Sequence, residues 1–88
     1  MPSVEIYTTG DCPFCARAKA LFQGKGVAFS EYRIEGNRER MREMLKRCRQ
    51  KTVPQIFIAD RHLGGYEEIA ELNATGELDS LLNLNGHG

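Results

Sequence analysis

The first 34 residues place the tightest constraint on the fold. Val4 to Tyr7 form a short β-favouring run, and Thr8-Thr9-Gly10-Asp11 is a turn cluster. A stretch with Cys15, Ala18, Leu21 and Phe22 at helical spacing follows, reaching Gln23 before Gly24-Lys25-Gly26 ends it. Val27 to Ile34 then supply a second strand. A strand, a helix and a strand in this order make the two strands parallel and the crossover right-handed, because a right-twisted strand feeding a right-handed helix packs back onto the sheet only that way. Asp11 is positioned to cap the helix, which begins at Cys12 or Pro13, and a proline at the first helical position suits that start.

The rest of the chain continues the alternation. After Gly36-Asn37, Met41, Met44, Leu45 and Cys48 recur on one face of a second helix, while Arg38, Arg40, Arg42, Glu43, Lys46 and Arg47 cover its solvated side. Pro54 precedes the β-favouring run Gln55-Ile56-Phe57-Ile58, so a third strand starts just after it. Asp60-Arg61 reads as a two-residue hairpin turn into a fourth strand at His62-Leu63. Gly64-Gly65 opens a third helix carrying Ile69, Ala70 and Leu72, and Leu78, Leu81 and Leu82 mark a last short one. Residues 1–84 are expected to form a single domain and residues 85–88 to fray, a chain of 88 residues being close to the size at which one hydrophobic core suffices.

Composition narrows the function classes. Acidic and basic residues number 12 each, so no overall charge argues for nucleic acid, a membrane surface or an acidic partner, and selectivity must come from local charge. Three cysteines, an odd count, argue against a secreted disulfide scaffold. The N-terminus lacks a basic stretch followed by an apolar one, and no apolar run approaches membrane-spanning length. The expectation is a reducing cytoplasm.

Within that frame, Cys12-Pro13-Phe14-Cys15 carries the chemistry. A thiolate is the nucleophile in disulfide exchange, and a free cysteine, with pKa about 8.5, is mostly protonated at neutral pH. At a helix start Cys12 meets unpaired N–H groups and the positive end of the helix dipole, both of which favour a negative sulfur. Cys15, nearly one turn inside, has poorer solvent access yet stays near enough to attack the other sulfur. Cys12 is therefore the attacking thiol and Cys15 the resolving one, with Pro13 and Phe14 setting the stiffness and lip of the loop. Asp11 carries a charge that partly opposes a thiolate at Cys12. Two cysteines also make half of a zinc site, but Cys48 is alone and His62 and His87 have no paired spacing, so no metal is expected.

Strand, helix, strand, helix, hairpin, helix is the element order of the thioredoxin fold in its minimal form. The chain resembles the glutaredoxins, because Cys12-Pro13-Phe14-Cys15, Thr52-Val53-Pro54 and Gly64-Gly65-Tyr66-Glu67-Glu68 stand in that family's order and spacing along nearly the whole sequence. The resemblance implies an α/β architecture, β-α-β-α-β-β-α-α, with a four-stranded mixed sheet in the order 2-1-3-4 flanked by helices. It further implies a glutathione-dependent thiol-disulfide oxidoreductase. In this reading Cys12 attacks a protein disulfide or a protein-glutathione mixed disulfide, and electrons come from the glutathione pool. Expected partners are glutathione and disulfide-containing or glutathionylated proteins, with no nucleic acid and no membrane, and the chain is expected to act as a monomer.

The same resemblance gives the remaining motifs roles that the residues alone leave open. Val53-Pro54 taken by itself favours an ordinary trans bond at a strand start; the family implies a cis bond that turns the Val53 backbone toward glutathione's cysteinyl unit, like an added strand. Gly64-Gly65 taken by itself is a strand-to-helix turn. By resemblance, the amides near Gly65, at Tyr66 and Glu67, hold the γ-glutamyl carboxylate, and Glu67 meets its ammonium. Family members commonly place a lysine where this chain has Thr9, so the cation for the glycyl carboxylate falls to Lys51, beside Thr52, with Gln50 and Arg49 as further candidates. Tyr7 and Tyr66 either wall the groove or serve packing, Cys48 is a packed thiol, and His62 lies on the hairpin surface. Two other functions stay open: a redoxin reduced directly by thioredoxin reductase, and a glutathione-ligated iron-sulfur cluster between two subunits, against which Pro13 argues.

Overall fold

The computed structural model describes residues 2–84, so the expectation for residues 85–88 falls outside it. Four strands, β1 (Val4–Thr8), β2 (Ser30–Arg33), β3 (Gln55–Ile58) and β4 (Arg61–Gly64), form one sheet in the order β2-β1-β3-β4. β1 pairs with β2 in parallel, as a right-handed crossover requires, and β3 runs antiparallel to both β1 and β4. The helices are α1 (Pro13–Gly24), α2 (Arg38–Cys48), α3 (Tyr66–Thr75) and the short α4 (Glu77–Leu81).

Alternation along β1 and β3 divides the core between the two faces of the sheet. Val4, Ile6, Ile56 and Ile58 pack with Ala18 and Phe22 of α1, Ile69 of α3, and Leu78 and Leu82. Tyr7 and Phe57 point the other way, into a smaller cluster with Ile34 and Met44 of α2. The helices thus clamp β1, whose C-terminal end leads into the turn before Cys12.

Two boundaries and the placement of one side chain differ from the sequence reading, each for a local reason. β2 begins at Ser30 rather than Val27, because the Val27 N–H donates to Phe22 O and the Gly26 N–H to Gln23 O. Those bonds, with Gly26 at φ +70°, close the end of α1, so Val27 belongs to the helix-terminating turn. The hairpin turns on Ala59-Asp60, not Asp60-Arg61: both have positive φ, and Ile58 and Arg61 face each other across it. Finally, Arg47 is not on the solvated side of α2. It lies over the sheet, with a guanidinium nitrogen 2.8 Å from Glu5 Oε1 and its carbon 3.8 Å from the Phe57 ring centroid. Its long stem covers apolar surface while the charged end finds a half-buried partner.

Candidate active site

Cys12 is itself the N-cap of α1. Its backbone is extended, its Sγ accepts a hydrogen bond from the Cys15 N–H at 3.1 Å, and Pro13 takes the first helical position. Asp11, expected as the cap, sits exposed one residue earlier. The cause is Pro13: proline is best accommodated at the first helical position, which makes the preceding residue the cap. A sulfur in that place accepts a helix-start N–H and lies at the positive end of the helix dipole.

The second thiol is unlike the first. Cys15 is 1% exposed, and burial pushes its thiol from an ordinary 9.0 up to about 12, with the hydrogen bond and charge of the neighbouring Cys12 adding to the rise. The Thr9 backbone and the Lys19 charge act in the opposite direction. Lys19 is held by Glu31, which also accepts from Thr8 Oγ1 at 2.7 Å; that Thr8 bond is the main reason the Glu31 carboxyl titrates below its usual range.

Opposite Cys12, the Val53-Pro54 bond is cis, and Val53 O lies 3.8 Å from Cys12 Sγ. Beside it lies an open groove of about 290 Å³, lined by the segment Gln50 and Thr52 to Gln55, by Gly65 to Glu68 and by Phe14. Phe14 is 49% exposed, and its ring centroid is 6.1 Å from that of Tyr66. Glu68 Oε1 accepts from the Gly65 N–H at 2.6 Å at the start of α3. The next amides, of Tyr66 and Glu67, have no acceptor within the helix. Gly64 makes this close approach possible: at φ +118°, an added Cβ would stand 2.8 Å from Glu68 Cγ.

The groove therefore brings together Thr52, Val53, Pro54, Gly65, Tyr66 and Glu67, with Cys12 at its edge. Lys51 is exposed and does not line it, whereas Gln50 does; Arg49 is the exposed C-cap of α2. Tyr7 is no part of the groove wall, being fully buried on the α2 side, where its hydroxyl donates to Glu43 and receives from Arg47 at 3.0 Å. Burial, then the Glu43 bond, raises Tyr7 to about 12. Cys48 is half-buried against Met44 O at 3.2 Å, a packed thiol.

Gln55 and His62 form a hydrogen-bonded pair behind the groove that sequence reasoning missed. Gln55 is buried; its Nε2 donates to Thr52 O at 3.0 Å and to Gln50 Oε1 at 3.1 Å. Its Oε1 accepts from His62 Nε2 at 2.7 Å, and burial lowers the His62 pKa, which suits a neutral ring in this half-buried place. The pair pins the loop that carries Thr52 to Pro54. A polar residue at the head of an otherwise apolar strand was the available signal. Glu68, three residues after the Gly65 cap, matched the capping pattern.

A buried thiol one turn behind a helix-capping thiol, facing a cis-proline on a thioredoxin fold, defines the class: a thiol-disulfide oxidoreductase. The glutaredoxin family model matches residues 4–63. Glutaredoxin 3 of Escherichia coli is 52% identical over 82 residues, covering 93% of this chain and 99% of that protein. Among solved structures, the glutaredoxin of Brucella melitensis superposes with a TM-score of 0.82 at 45% identity, covering 96% of this chain and 91% of that one. A buckwheat glutaredoxin-glutathione complex gives 0.84 at 25% identity, covering 93% and 77%. The chain belongs to the glutaredoxin family.

No helix among the described residues is long and apolar enough to cross a membrane, and no group of three or more His, Cys, Asp or Glu is gathered there as a metal ion would need.

Proposed function

We propose that this protein uses glutathione to reduce protein disulfides and protein-glutathione mixed disulfides. The observation that carries the reading is the inequality of the two thiols: Cys12 Sγ accepts an N–H at the helix start and borders the groove, while Cys15 is buried with its thiol raised to about 12. The Cys12 thiolate attacks one sulfur of the target disulfide, forming a mixed disulfide and releasing the other sulfur as a thiolate that takes up a proton. With a protein bound, Cys15 loses its proton, attacks Cys12 Sγ and frees the protein thiol, leaving a Cys12-Cys15 disulfide that two glutathione molecules reduce. With glutathione bound, a second glutathione attacks instead, and oxidised glutathione leaves.

The groove supports glutathione as the reductant, as does the buckwheat relative, whose structure is a glutathione complex. In this reading Val53 pairs with the cysteinyl backbone beside Thr52 and Pro54, the amides following Gly65, at Tyr66 and Glu67, hold the γ-glutamyl carboxylate, and the Glu67 side chain meets the ammonium. Lys51 supplies the cation for the glycyl carboxylate next to the groove-lining Gln50. We assign the chain a single domain over residues 1–84 that works as a monomer in a reducing cytoplasm.

The test is an assay coupled to glutathione reductase with a small glutathione mixed disulfide as substrate. Turnover that disappears in Cys12→Ser is expected. No turnover, accompanied by efficient reduction by thioredoxin reductase, or a coloured cluster-bridged dimer after anaerobic iron reconstitution, would overturn the reading.

A further inference from the structure

A net charge of zero conceals a run of unpaired cations on the exposed face of α2. On α2, Arg38, Arg42 and Lys46 fall four residues apart on the exposed side; Arg49 at the C-cap and Lys51 continue the positive charge to Thr52 at the groove. Among the described residues none of these five is in an ion pair, whereas Arg40 and Arg47, on the sheet side of the same helix, are. Across the sheet, residues 66–84 carry Glu67, Glu68, Glu71, Glu77 and Asp79 and no lysine or arginine, with Asp79 paired to Lys25 after α1 at 2.6 Å.

Folding does not account for the stripe. Like charges four residues apart repel and weaken a helix, and a cation in the first turn, as at Arg38, opposes the helix dipole. An ordinary solvated face mixes signs, and Glu39 is the one acid among these exposed α2 positions. The stripe spans about 12 Å from Arg38 to Lys46 at the helical rise. It also leads to the groove, so a partner lying on it has its disulfide within reach of Cys12.

We propose that the exposed face of α2 is a docking surface for protein substrates whose disulfide or glutathionylated cysteine is flanked by acidic residues. The positive stripe steers and orients the encounter, and the acidic α3-α4 side turns the wrong approach away. A protein substrate is favoured over a nucleic acid because the stripe holds no interleaved aromatic residue and ends at the thiol site. This inference rests on the proposed oxidoreductase function and names its substrate class.

The test uses two glutathionylated peptides of about 20 residues with the same central cysteine, one flanked by Asp and Glu and the other by Lys and Arg. Their extended flanks, at about 3.4 Å per residue, reach the stripe from the groove. A small glutathione mixed disulfide, which has no peptide flanks to reach the stripe, serves as the control. For the unaltered protein at low ionic strength, kcat/KM should favour the acidic peptide by about tenfold, and the preference should fade in about 0.5 M salt. The triple variant Arg38→Gln, Arg42→Gln, Lys46→Gln should lose the preference while turning over the small substrate unchanged, which also reports that it is folded. No preference in the unaltered protein, or a preference that survives in the variant, overturns the proposal. So does tight binding of a fluorescent DNA duplex that the variant loses, which would make the stripe a nucleic-acid surface. Failure to turn over the small substrate at all would instead refute the oxidoreductase reading.

Discussion

Burial of the second thiol has a kinetic signature. Moving Cys15 from an ordinary 9.0 to about 12 favours its protonated form by about 4 kcal/mol, at about 1.4 kcal/mol per pH unit. At pH 7 about one molecule in 10⁵ then carries Cys15 as thiolate, a fraction that rises tenfold with each pH unit. Burial is the largest cause; the Cys12 sulfur adds to it by its hydrogen bond and charge, and the Thr9 backbone and the Lys19 charge oppose it. Once Cys12 is locked in a mixed disulfide its contributions fall away while burial stays, so Cys15 should titrate lower in the intermediate that it must resolve than in the reduced protein.

The Cys12→Ala variant removes the Cys12 contributions and leaves burial opposed by the Thr9 backbone bond and the Lys19 charge. We expect the ¹³Cβ resonance of Cys15 in this variant to titrate above 9, and in the unaltered reduced protein close to 12. In rapid-quench experiments on a preformed protein mixed disulfide, release of the protein should accelerate about tenfold per pH unit between pH 7 and 9. The same linkage acts on stability. The folded state holds the Cys15 proton more tightly than the unfolded chain, so this contribution is complete below pH 9 and is lost as pH rises from 9 to about 12. Titration of Cys15 at or below 9 in Cys12→Ala, or a pH-independent resolution rate, would refute the reasoning.

Other consequences follow from groups around the site. Replacing Arg47 with Leu leaves the half-buried Glu5 carboxylate and the Tyr7 hydroxyl without their cation and should destabilise by about 2–3 kcal/mol, a loss of roughly 10–20 °C in Tm for a domain of this size. A Glu5→Gln background should shrink that loss, and a double-mutant cycle by thermal denaturation measures it. Gly64→Ala forces a Cβ into a positive-φ position against Glu68 and should lower stability by about 1–3 kcal/mol and weaken glutathione binding, checked by denaturant titration and calorimetry. On the acid side, the Tyr7 hydrogen bond first, then Arg40, holds the Glu43 carboxyl below 4.5. Its stabilisation is present above that pH and lost as pH falls through the depressed folded value; Tyr7→Phe should move the acid-unfolding midpoint upward.

Much of the fold was legible because its signals are local and mutually consistent. β-favouring runs at Val4 and Gln55, period-3.6 faces on α1 to α3, and the handedness of the first crossover suffice for the sheet order once the family resemblance orients the hairpin. The misplacements occurred where backbone bonds override residue preference. Val27 is β-branched but spends its N–H on closing α1, and Ala59, a poor residue for positive φ, nonetheless sits in the hairpin turn. At the site, the cysteine pair was legible from its position after a strand. That Cys12, not Asp11, caps the helix follows from Pro13. Arg47 and the Gln55-His62 pair were not legible, because their partners are 42 and seven residues away, on other elements.

The inequality of the two cysteines is tested most directly by Cys15→Ser, assayed side by side on a small glutathione mixed disulfide and on a protein disulfide. Turnover of the glutathione substrate should survive at a comparable rate. Protein-disulfide reduction should fall by about 100-fold or more, as expected when a group acting in concert with the nucleophile is lost. Equal loss of both activities, or retention of both, would contradict the division of labour between Cys12 and Cys15.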